Sequence, residues 1–225
     1  MKGASSAVEE GVHFESEYLL EGILHRPSKE AARGGVVICH PHPLYGGNMN
    51  YHLVSGVARV CAAQGMAALR FNFRGVGGSG GKYAGGIGEV NDVAAALKYL
   101  GRQIAPQAPL GLVGYSFGSL VAARYVAEGG KAEALVLIAF ALNFKGVNVD
   151  DYAGLAQYAG PLLVIAGGRD ELGPPEAVEA ALNRLGARGE VLVFPEVDHF
   201  FGGAAKSAGE AAASFLIQSF EAVVT

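Results

Sequence analysis

A serine, an aspartate and a histidine, each placed just after an apolar segment, are the residues of this sequence best suited to act together. Ser116 lies in GYSFG, Asp170 follows PLLVIAGGR, and His199 follows EVLVFPEVD. A serine hydroxyl is a weak nucleophile until a neutral imidazole accepts its proton, and a carboxylate can orient and stabilise that imidazole. The order Ser, Asp, His is the order expected for a nucleophile on a strand-to-helix turn. The three residues therefore indicate acyl transfer through a covalent serine intermediate.

The residues around Ser116 favour a nucleophile over a simple helix cap. Gly114 and Gly118 stand two positions before and after it, where an apolar run changes into helical spacing. A sharp turn of this kind strains the serine backbone, and side chains at the two glycine positions would collide with the neighbouring strand and helix. Because serine is also a common helix N-cap and GxSxG alone is a weak signal, the interpretation depends on the surrounding strand and helix.

Other acids and histidines compete for the two remaining roles. Glu171 and Asp198 are alternatives to Asp170 as the orienting acid. Asp170 is favoured because it lies at a strand end, whereas Asp198 directly precedes the histidine and cannot easily face its ring. Three further histidines fall outside the segments that reach the strand ends, and we interpret them as surface residues: His13, His25 and His52.

The loop CHPHPLYGGNM, after the strand GVVIC, is the expected source of a second oxyanion donor. The first donor is expected to be the backbone N–H of Phe117. The two prolines of the loop have no N–H, and we expect them to stiffen it so that its other amides are preorganised. The remaining candidates for the second donor, in order of preference, are His42, then Leu44 and Tyr45, and then the glycines.

Two other motifs suggest bound groups, and neither is complete. His40 and His42 would point to the same side of an extended segment, but no third metal ligand accompanies them at a recognisable spacing. Residues 73–80, FRGVGGSG, contain a literal GxGxxG, yet the following helix is delayed and the window for the ribose-binding acid is itself helical. Tyr83 stands where a phosphate loop needs serine or threonine. We therefore expect no metal and no organic cofactor.

The elements that must position these residues alternate between strands and helices. Short apolar runs predict strands in the segments YLLEGILHRP, GVVICH, MAALRFNF, PLGLVGY, EALVLIAF, PLLVIAGG and EVLVFP. Apolar spacings of three and four predict helices over residues 51–64, 87–104, 116–127, 174–185 and 204–222. Apolar, unalternating strands between amphipathic helices need both sheet faces covered. We therefore predict an α/β fold: a doubly wound, mostly parallel sheet flanked by helices on both faces, with sites at the carboxyl ends of its strands.

The composition is that of a globular chain without a charged binding face. Its 225 residues are 51% hydrophobic, which suits one large core, and we expect a single domain over residues 1–225. The formal charge is −4 and there is no cluster of lysine and arginine, so nucleic acid is not an expected partner. Cys39 and Cys61 lie in apolar segments, where we expect both to be buried and reduced.

No segment indicates a membrane or a secretory route. No apolar stretch approaches the roughly 18 residues that span a bilayer. The N-terminal residues MKGASSAVEEGVHFESEY lack the apolar core of a signal peptide. We therefore expect no membrane association and a cytoplasmic location.

Four segments together resemble the α/β-hydrolase superfamily, and within it a small, cap-less bacterial group of predicted serine hydrolases: HPHPLYGGNM, RFNFRGVGGSGG, GYSFG and DHFF. The resemblance extends over nearly the whole chain, from about residue 18 to residue 220. It implies Ser116 as nucleophile, Asp170 as acid, His199 as base and Phe117 as an oxyanion donor, in agreement with the interpretation of the residues themselves.

These observations favour a serine hydrolase, most simply a carboxylesterase acting on a small-molecule ester. A thioesterase or peptidase would use the same residues. A non-catalytic binding protein on a hydrolase scaffold is the alternative from another class, because a fold alone does not establish a function.

The connection at residues 141–160 bears on the size of the substrate. It is too short to form a separate helical cap. A long acyl chain needs a continuous apolar wall, since each buried methylene contributes about 0.8 kcal/mol only where such a wall exists. We therefore expect an open, partly polar cleft that favours short acyl chains, and the sequence leaves open a homodimer that would add a wall.

Overall fold

Eight strands form one sheet in the computed structural model, which describes residues 8–28 and 32–224 of the chain. The strands are β1 Val8–Glu15, β2 Leu19–Arg26, β3 Gly35–Cys39, β4 Ala67–Phe71, β5 Leu110–Tyr115, β6 Ala134–Ile138, β7 Leu162–Gly167 and β8 Glu190–Phe194. Their order across the sheet is β1-β2-β4-β3-β5-β6-β7-β8. Strands β3 to β8 are parallel, whereas β1 and β2 form an antiparallel hairpin that adds to β4. The predicted mostly parallel sheet is confirmed.

Five helices cover the two faces of this sheet. They are α1 His52–Ala63, α2 Glu89–Gly101, α3 Phe117–Ala127, α4 Pro175–Leu185 and α5 Ala205–Val224. Helices α1 and α5 pack together on one face, and α2, α3 and α4 bury their apolar sides in a second core on the other. The predicted doubly wound arrangement is therefore confirmed. None of the helices in the described ranges is long and apolar enough to cross a membrane.

Strand β1 is absent from the sequence prediction, which begins with β2. Only Val12 and Phe14 of its eight residues are buried, and three of the exposed positions are glutamates. As the edge strand of the sheet, β1 has one strand neighbour and a largely solvated surface. Its apolar pattern is therefore too weak to be recognised without the tertiary structure.

Two predictions about burial have opposite outcomes. Cys39 and Cys61 are both completely buried and unpaired with each other, as predicted. The interpretation of His25 as a surface residue is wrong, because it lies on β2, which is flanked by β1 and β4, and is fully buried. Its Nε2 accepts a hydrogen bond of 2.9 Å from Nε of Arg70, so this histidine is part of a buried polar contact.

The connection over residues 141–160 lies against the body of the molecule. Its central part, Val149–Gln157, is a 3-10 helix that packs on α3. Asp151 pairs with Arg124 of α3 and Asp150 pairs with Arg184 of α4, each at 2.7 Å. The connection therefore follows the flank of the domain and forms no separate cap in the part of the chain that the structure describes.

The glycine-rich segment after β4 is a turn, as the sequence interpretation has it. The amide of Gly75 donates to the carbonyl of Gly80 at 2.9 Å, and Gly75 and Gly77 have φ angles of 75° and 56°. Helix α2 begins only at Glu89. Because no helix opens at the glycines, no helix N-terminus faces them as a dinucleotide-binding turn requires.

Candidate active site

Ser116 occupies a strained turn between β5 and α3. Its φ and ψ angles are 54° and −116°, a region that non-glycine residues rarely adopt. The turn is tight enough that a Cβ on Gly114 would lie 2.3 Å from the carbonyl oxygen of Gly118, and a Cβ on Gly118 would lie 2.4 Å from that of Cys39. The predicted collisions at both glycines are therefore confirmed, and they explain why this turn needs glycine on either side of the serine.

The turn directs the serine hydroxyl toward His199. Ser116 Oγ lies 2.8 Å from His199 Nε2, and His199 Nδ1 lies 2.9 Å from both carboxylate oxygens of Asp170. An ionised carboxylate only accepts hydrogen bonds, so the proton of the neutral imidazole is on Nδ1 and Nε2 is free to accept the serine proton. The three residues converge from the ends of β5, β7 and β8, although 83 positions separate the serine from the histidine.

Asp170 is held rigidly in its place. Its side chain is fully buried, and Oδ1 also accepts hydrogen bonds from the amides of Leu172 and Gly173 at 2.9 and 3.0 Å. The alternative acids lie elsewhere: Glu171 is exposed, and Asp198 accepts a hydrogen bond from the amide of Phe200. Of the three acids considered, the structure brings only Asp170 to the imidazole.

Tyr115 is a site residue that the sequence analysis missed. Its hydroxyl donates a 3.0 Å hydrogen bond to the backbone carbonyl of His199, and its ring stacks on the imidazole at 6.1 Å. Burial raises its pKa well above the usual value, so the hydroxyl keeps its proton. The sequence signal available was the residue type, because a tyrosine buried at a strand end needs a partner for its hydroxyl.

The loop after β3 turns through a short 3-10 helix, Pro43–Tyr45. The amide of Leu44 donates to His42 Nδ1 at 3.2 Å, and the amide of Tyr45 donates to the carbonyl of His42 at 3.1 Å, so neither is free for an oxyanion. The amide of His42 donates to no atom within the described ranges. The amide of Phe117 begins α3, where an N–H has no partner within the helix.

The buried side chain of His40 fixes this loop through two hydrogen bonds. Its Nδ1 lies 2.6 Å from the carbonyl oxygen of Pro41, and its Nε2 accepts a 3.1 Å hydrogen bond from the amide of Phe73. A carbonyl can only accept and an amide can only donate, so the ring is neutral with its proton on Nδ1. Burial lowers the pKa of His40 to about 4, which keeps the ring neutral at physiological pH.

The two histidines of the loop have separate surroundings. The ring of His42 packs against Tyr45, Phe117 and Phe144 at centroid distances of 4.9 to 5.2 Å. Its Nδ1 accepts from Leu44, which leaves Nε2–H to donate to the hydroxyl of Tyr83 at 3.1 Å. Both ring nitrogens of each histidine are therefore engaged by protein atoms, an arrangement that favours a structural use of the pair.

Ser116 and His199 open into a cleft of about 410 Å³. The residues that line it are Pro41, His42, Tyr45, Gly47, Tyr51, Tyr115, Ser116, Phe117, Leu120, Ala141, Phe144, Leu172, His199 and Phe200. Within the described part of the chain, this lining includes no Asp, Glu, Lys or Arg. The polar groups of the lining come from Ser116, two histidines and three tyrosines, so the cleft is partly polar as expected, although its surface is mainly apolar because six aromatic side chains meet there.

The chain matches known proteins over most of its length. Residues 36–225 match a family described as alpha/beta hydrolase domain. An uncharacterized protein of Rickettsia prowazekii (strain Madrid E) is 34% identical over 171 residues, with 73% of this chain and 71% of the relative covered.

Two solved structures are similar in both fold and sequence. One is an alpha-beta serine hydrolase homologue from Coxiella burnetii, with a TM-score of 0.82 at 34% identity over 92% of this chain and 97% of the other. The second is an a/b serine hydrolase without lid from Xanthomonas campestris, with a TM-score of 0.78 at 27% identity over 93% of this chain and 94% of the other. With the family match extending from β3 to the end of α5, the chain belongs to the alpha/beta hydrolase family and is a hydrolase of the alpha/beta type.

Proposed function

We propose that this chain is a serine carboxylesterase that cleaves esters of short acyl chains through an acyl-enzyme. The observation that carries the proposal is the continuous contact from Ser116 Oγ to His199 Nε2 and from His199 Nδ1 to Asp170, at 2.8 and 2.9 Å. Activated serines in hydrolases have this arrangement of nucleophile, base and orienting acid.

In the first half of the proposed reaction, Ser116 Oγ attacks the carbonyl carbon of the ester and His199 Nε2 takes its proton. Asp170 stabilises the imidazolium that forms. The negative charge on the carbonyl oxygen is stabilised by the free amides of Phe117 and His42, which we assign as the oxyanion donors. The C–O bond of the ester then breaks, and His199 gives its proton to the departing alcohol.

In the second half, water replaces the alcohol. His199 Nε2 accepts a proton from the water as its oxygen attacks the acyl carbon, and the same oxyanion donors stabilise the charge that develops. The bond between Ser116 Oγ and the acyl group breaks, Ser116 regains its proton from His199, and the carboxylic acid leaves. The net reaction consumes one water and converts the ester into an acid and an alcohol.

Two features support a preference for short acyl chains. A cleft of 410 Å³ is toward the low end of the roughly 300 to 1,000 Å³ typical of small-molecule sites. The connection over residues 141–160, which would carry a cap, instead packs along α3 and α4. A chain of laurate length would therefore extend beyond the apolar wall, and the added methylenes would remain in water.

The test begins with Ser116→Ala, which removes the attacking oxygen and leaves the binding surfaces in place. We expect kcat for p-nitrophenyl acetate to fall by about 10⁴-fold or more, and rapid labelling by a fluorophosphonate probe at neutral pH to disappear. An unreactive wild-type serine would identify a binding protein on a hydrolase scaffold. Activity of the variant within tenfold of wild type, in a preparation free of host esterases, would exclude Ser116 as nucleophile.

Acyl preference is measured on p-nitrophenyl esters from acetate to laurate, below the concentrations at which the longer esters form micelles. We expect kcat/KM to be highest between acetate and butyrate and to decline toward laurate. A steady rise through twelve carbons would contradict the assignment of a short acyl site. Thioester and amide analogues of the best ester, measured in parallel, separate an esterase from a thioesterase or a peptidase.

A further inference from the structure

We propose that the cleft selects esters whose alcohol half carries an uncharged, flat aromatic ring, and that Phe200 is the main specificity-determining residue. This inference rests on the proposed function, and it names the class of alcohol that the same site accepts. Its basis is the identity of the rings around Ser116 and their positions relative to His199.

Aromatic side chains are concentrated in the cleft. Six of its fourteen lining residues are phenylalanine or tyrosine, whereas these residue types and tryptophan make up 9% of the whole sequence. The six are Tyr45, Tyr51, Tyr115, Phe117, Phe144 and Phe200. With no charged side chain lining the cleft in the described ranges, an ionised substituent would lose its hydration without gaining a partner.

The position of Phe200 relates it to the alcohol half of the substrate. His199 must lie beside the leaving oxygen, because it gives that oxygen its proton. Phe200 is the next residue, and its ring stands edge-to-face with the imidazole at a centroid distance of 5.8 Å and an angle of 84°. A group attached to the leaving oxygen would therefore contact Phe200 first.

Two rings at this cleft are largely exposed in the part of the chain that the structure describes. Phe200 is 61% exposed and Tyr45, which lines the same cavity, is 77% exposed. The amide of Phe200 is held by the carboxylate of Asp198 at 3.0 Å, so the backbone that presents the ring is fixed. Aromatic pairs gain from edge-to-face and offset contacts in addition to the burial of apolar area, so a flat ring would be preferred over a saturated ring of equal size.

The experiment compares benzyl acetate with cyclohexylmethyl acetate, by titrating the acetic acid released. The two esters share the acyl group, a primary alcohol and the number of carbon atoms, and differ in the aromaticity of the ring. We expect kcat/KM to be about threefold to tenfold higher for benzyl acetate. In Phe200→Leu the ratio should fall to about one, whereas Ile87→Ala, which truncates another largely exposed apolar residue outside the cleft lining, should keep the wild-type ratio.

A second measurement uses binding alone. Benzyl alcohol should slow fluorophosphonate labelling of the wild type at lower concentrations than cyclohexylmethanol does, and Phe200→Leu should abolish the difference. Equal kcat/KM values for the two esters in the wild type, or an undiminished ratio in Phe200→Leu, would overturn the inference and leave the esterase assignment standing. Failure of the wild type to cleave either ester or to react with the probe would instead refute the proposed function.

Discussion

At the scale of single residues, the position of His199 depends on more contacts than the one with the carboxylate of Asp170. The hydroxyl of Tyr115 bonds its backbone carbonyl, and Asp198 bonds the amide that follows it. Phe201, two residues after His199, has a φ angle of 53°, so the backbone that follows the histidine forms a strained turn. The imidazole must bridge an oxygen on each side within about 3 Å, and small displacements from such a geometry are costly in rate. We therefore assign Tyr115 as a positioning residue for the base.

Tyr115→Phe removes this one hydroxyl, and Tyr158→Phe is its matched control. Tyr158 also donates a hydrogen bond to a backbone carbonyl, that of Ala132 at 3.1 Å, but lies away from the cleft. We expect each variant to lose about 1 kcal/mol of unfolding free energy in urea titrations. Only Tyr115→Phe should lower kcat, by about tenfold with little change in KM, and slow fluorophosphonate labelling in parallel. Equal activities of the two variants would limit Tyr115 to a structural role.

At the scale of elements, the conformation of the loop after β3 depends on His40, a histidine that does not contact the substrate. The carbonyl of Pro41 and the amide of His42 belong to one planar peptide unit, so fixing the carbonyl also fixes the N–H. His40 Nδ1–H bonds that carbonyl, and its Nε2 ties the ring to the segment after β4 through Phe73. The direction of the His42 N–H, the proposed oxyanion donor, is therefore fixed by the buried side chain of His40. We assign His40 as a second positioning residue.

Two substitutions of His40 separate its two hydrogen bonds. The side-chain amide of asparagine places a donor near the position of Nδ1, whereas that of glutamine places an acceptor near Nε2. We expect His40→Gln to lose about 10-fold to 100-fold in kcat and His40→Asn to retain several-fold more of it, although both lose stability. The measurement is kcat of each variant, and the melting temperatures of both show whether a difference in kcat goes beyond a difference in stability. An asparagine variant no more active than the glutamine variant would contradict this role.

At the scale of the whole molecule, two buried histidines link folding to pH. Burial, together with the charge of Arg70, lowers the pKa of His25 to about 4, and burial lowers that of His40 to about 4. In the unfolded chain a histidine has a pKa near 6.5, so the unfolded state takes up these protons first as the pH falls. The stability contributed by the neutral rings is therefore complete above about pH 6.5 and is lost as the pH falls toward 4.

As the pH falls from about 6.5 toward 4, we expect the unfolding free energy to decrease by up to about 1.4 kcal/mol per pH unit for each of the two histidines. Urea unfolding of the wild type and of His25→Gln at pH 7, 6 and 5 measures it. Glutamine can still accept the hydrogen bond of Arg70 but does not titrate, so the slope of the variant should be about half as steep. Identical slopes would show that His25 takes up no proton on unfolding.

The sequence by itself determined the strands β2 to β8, the five helices and the three residues that meet at the strand ends. These depend on short-range patterns: the spacing of apolar residues sets each element, and parallel strands bring their carboxyl ends to one edge. Gly114 and Gly118 could likewise be interpreted from the sequence, because the close approach they permit is made within one turn and its adjacent strand.

Only the tertiary structure decided which groups occupy the space between elements. The burial of His25 and the hydrogen bond from the hydroxyl of Tyr115 to His199 depend on contacts between segments distant in the chain. The amides of Leu44 and Tyr45 are engaged by His42 within one loop turn, which no apolar spacing indicates. The aromatic cleft has the same origin, since its rings meet from the end of β5, the start of α3 and three loops that carry no periodic pattern. A loop backbone satisfies its hydrogen bonds in ways that depend on its neighbours, so its free amides and exposed rings emerge only when the sheet is assembled.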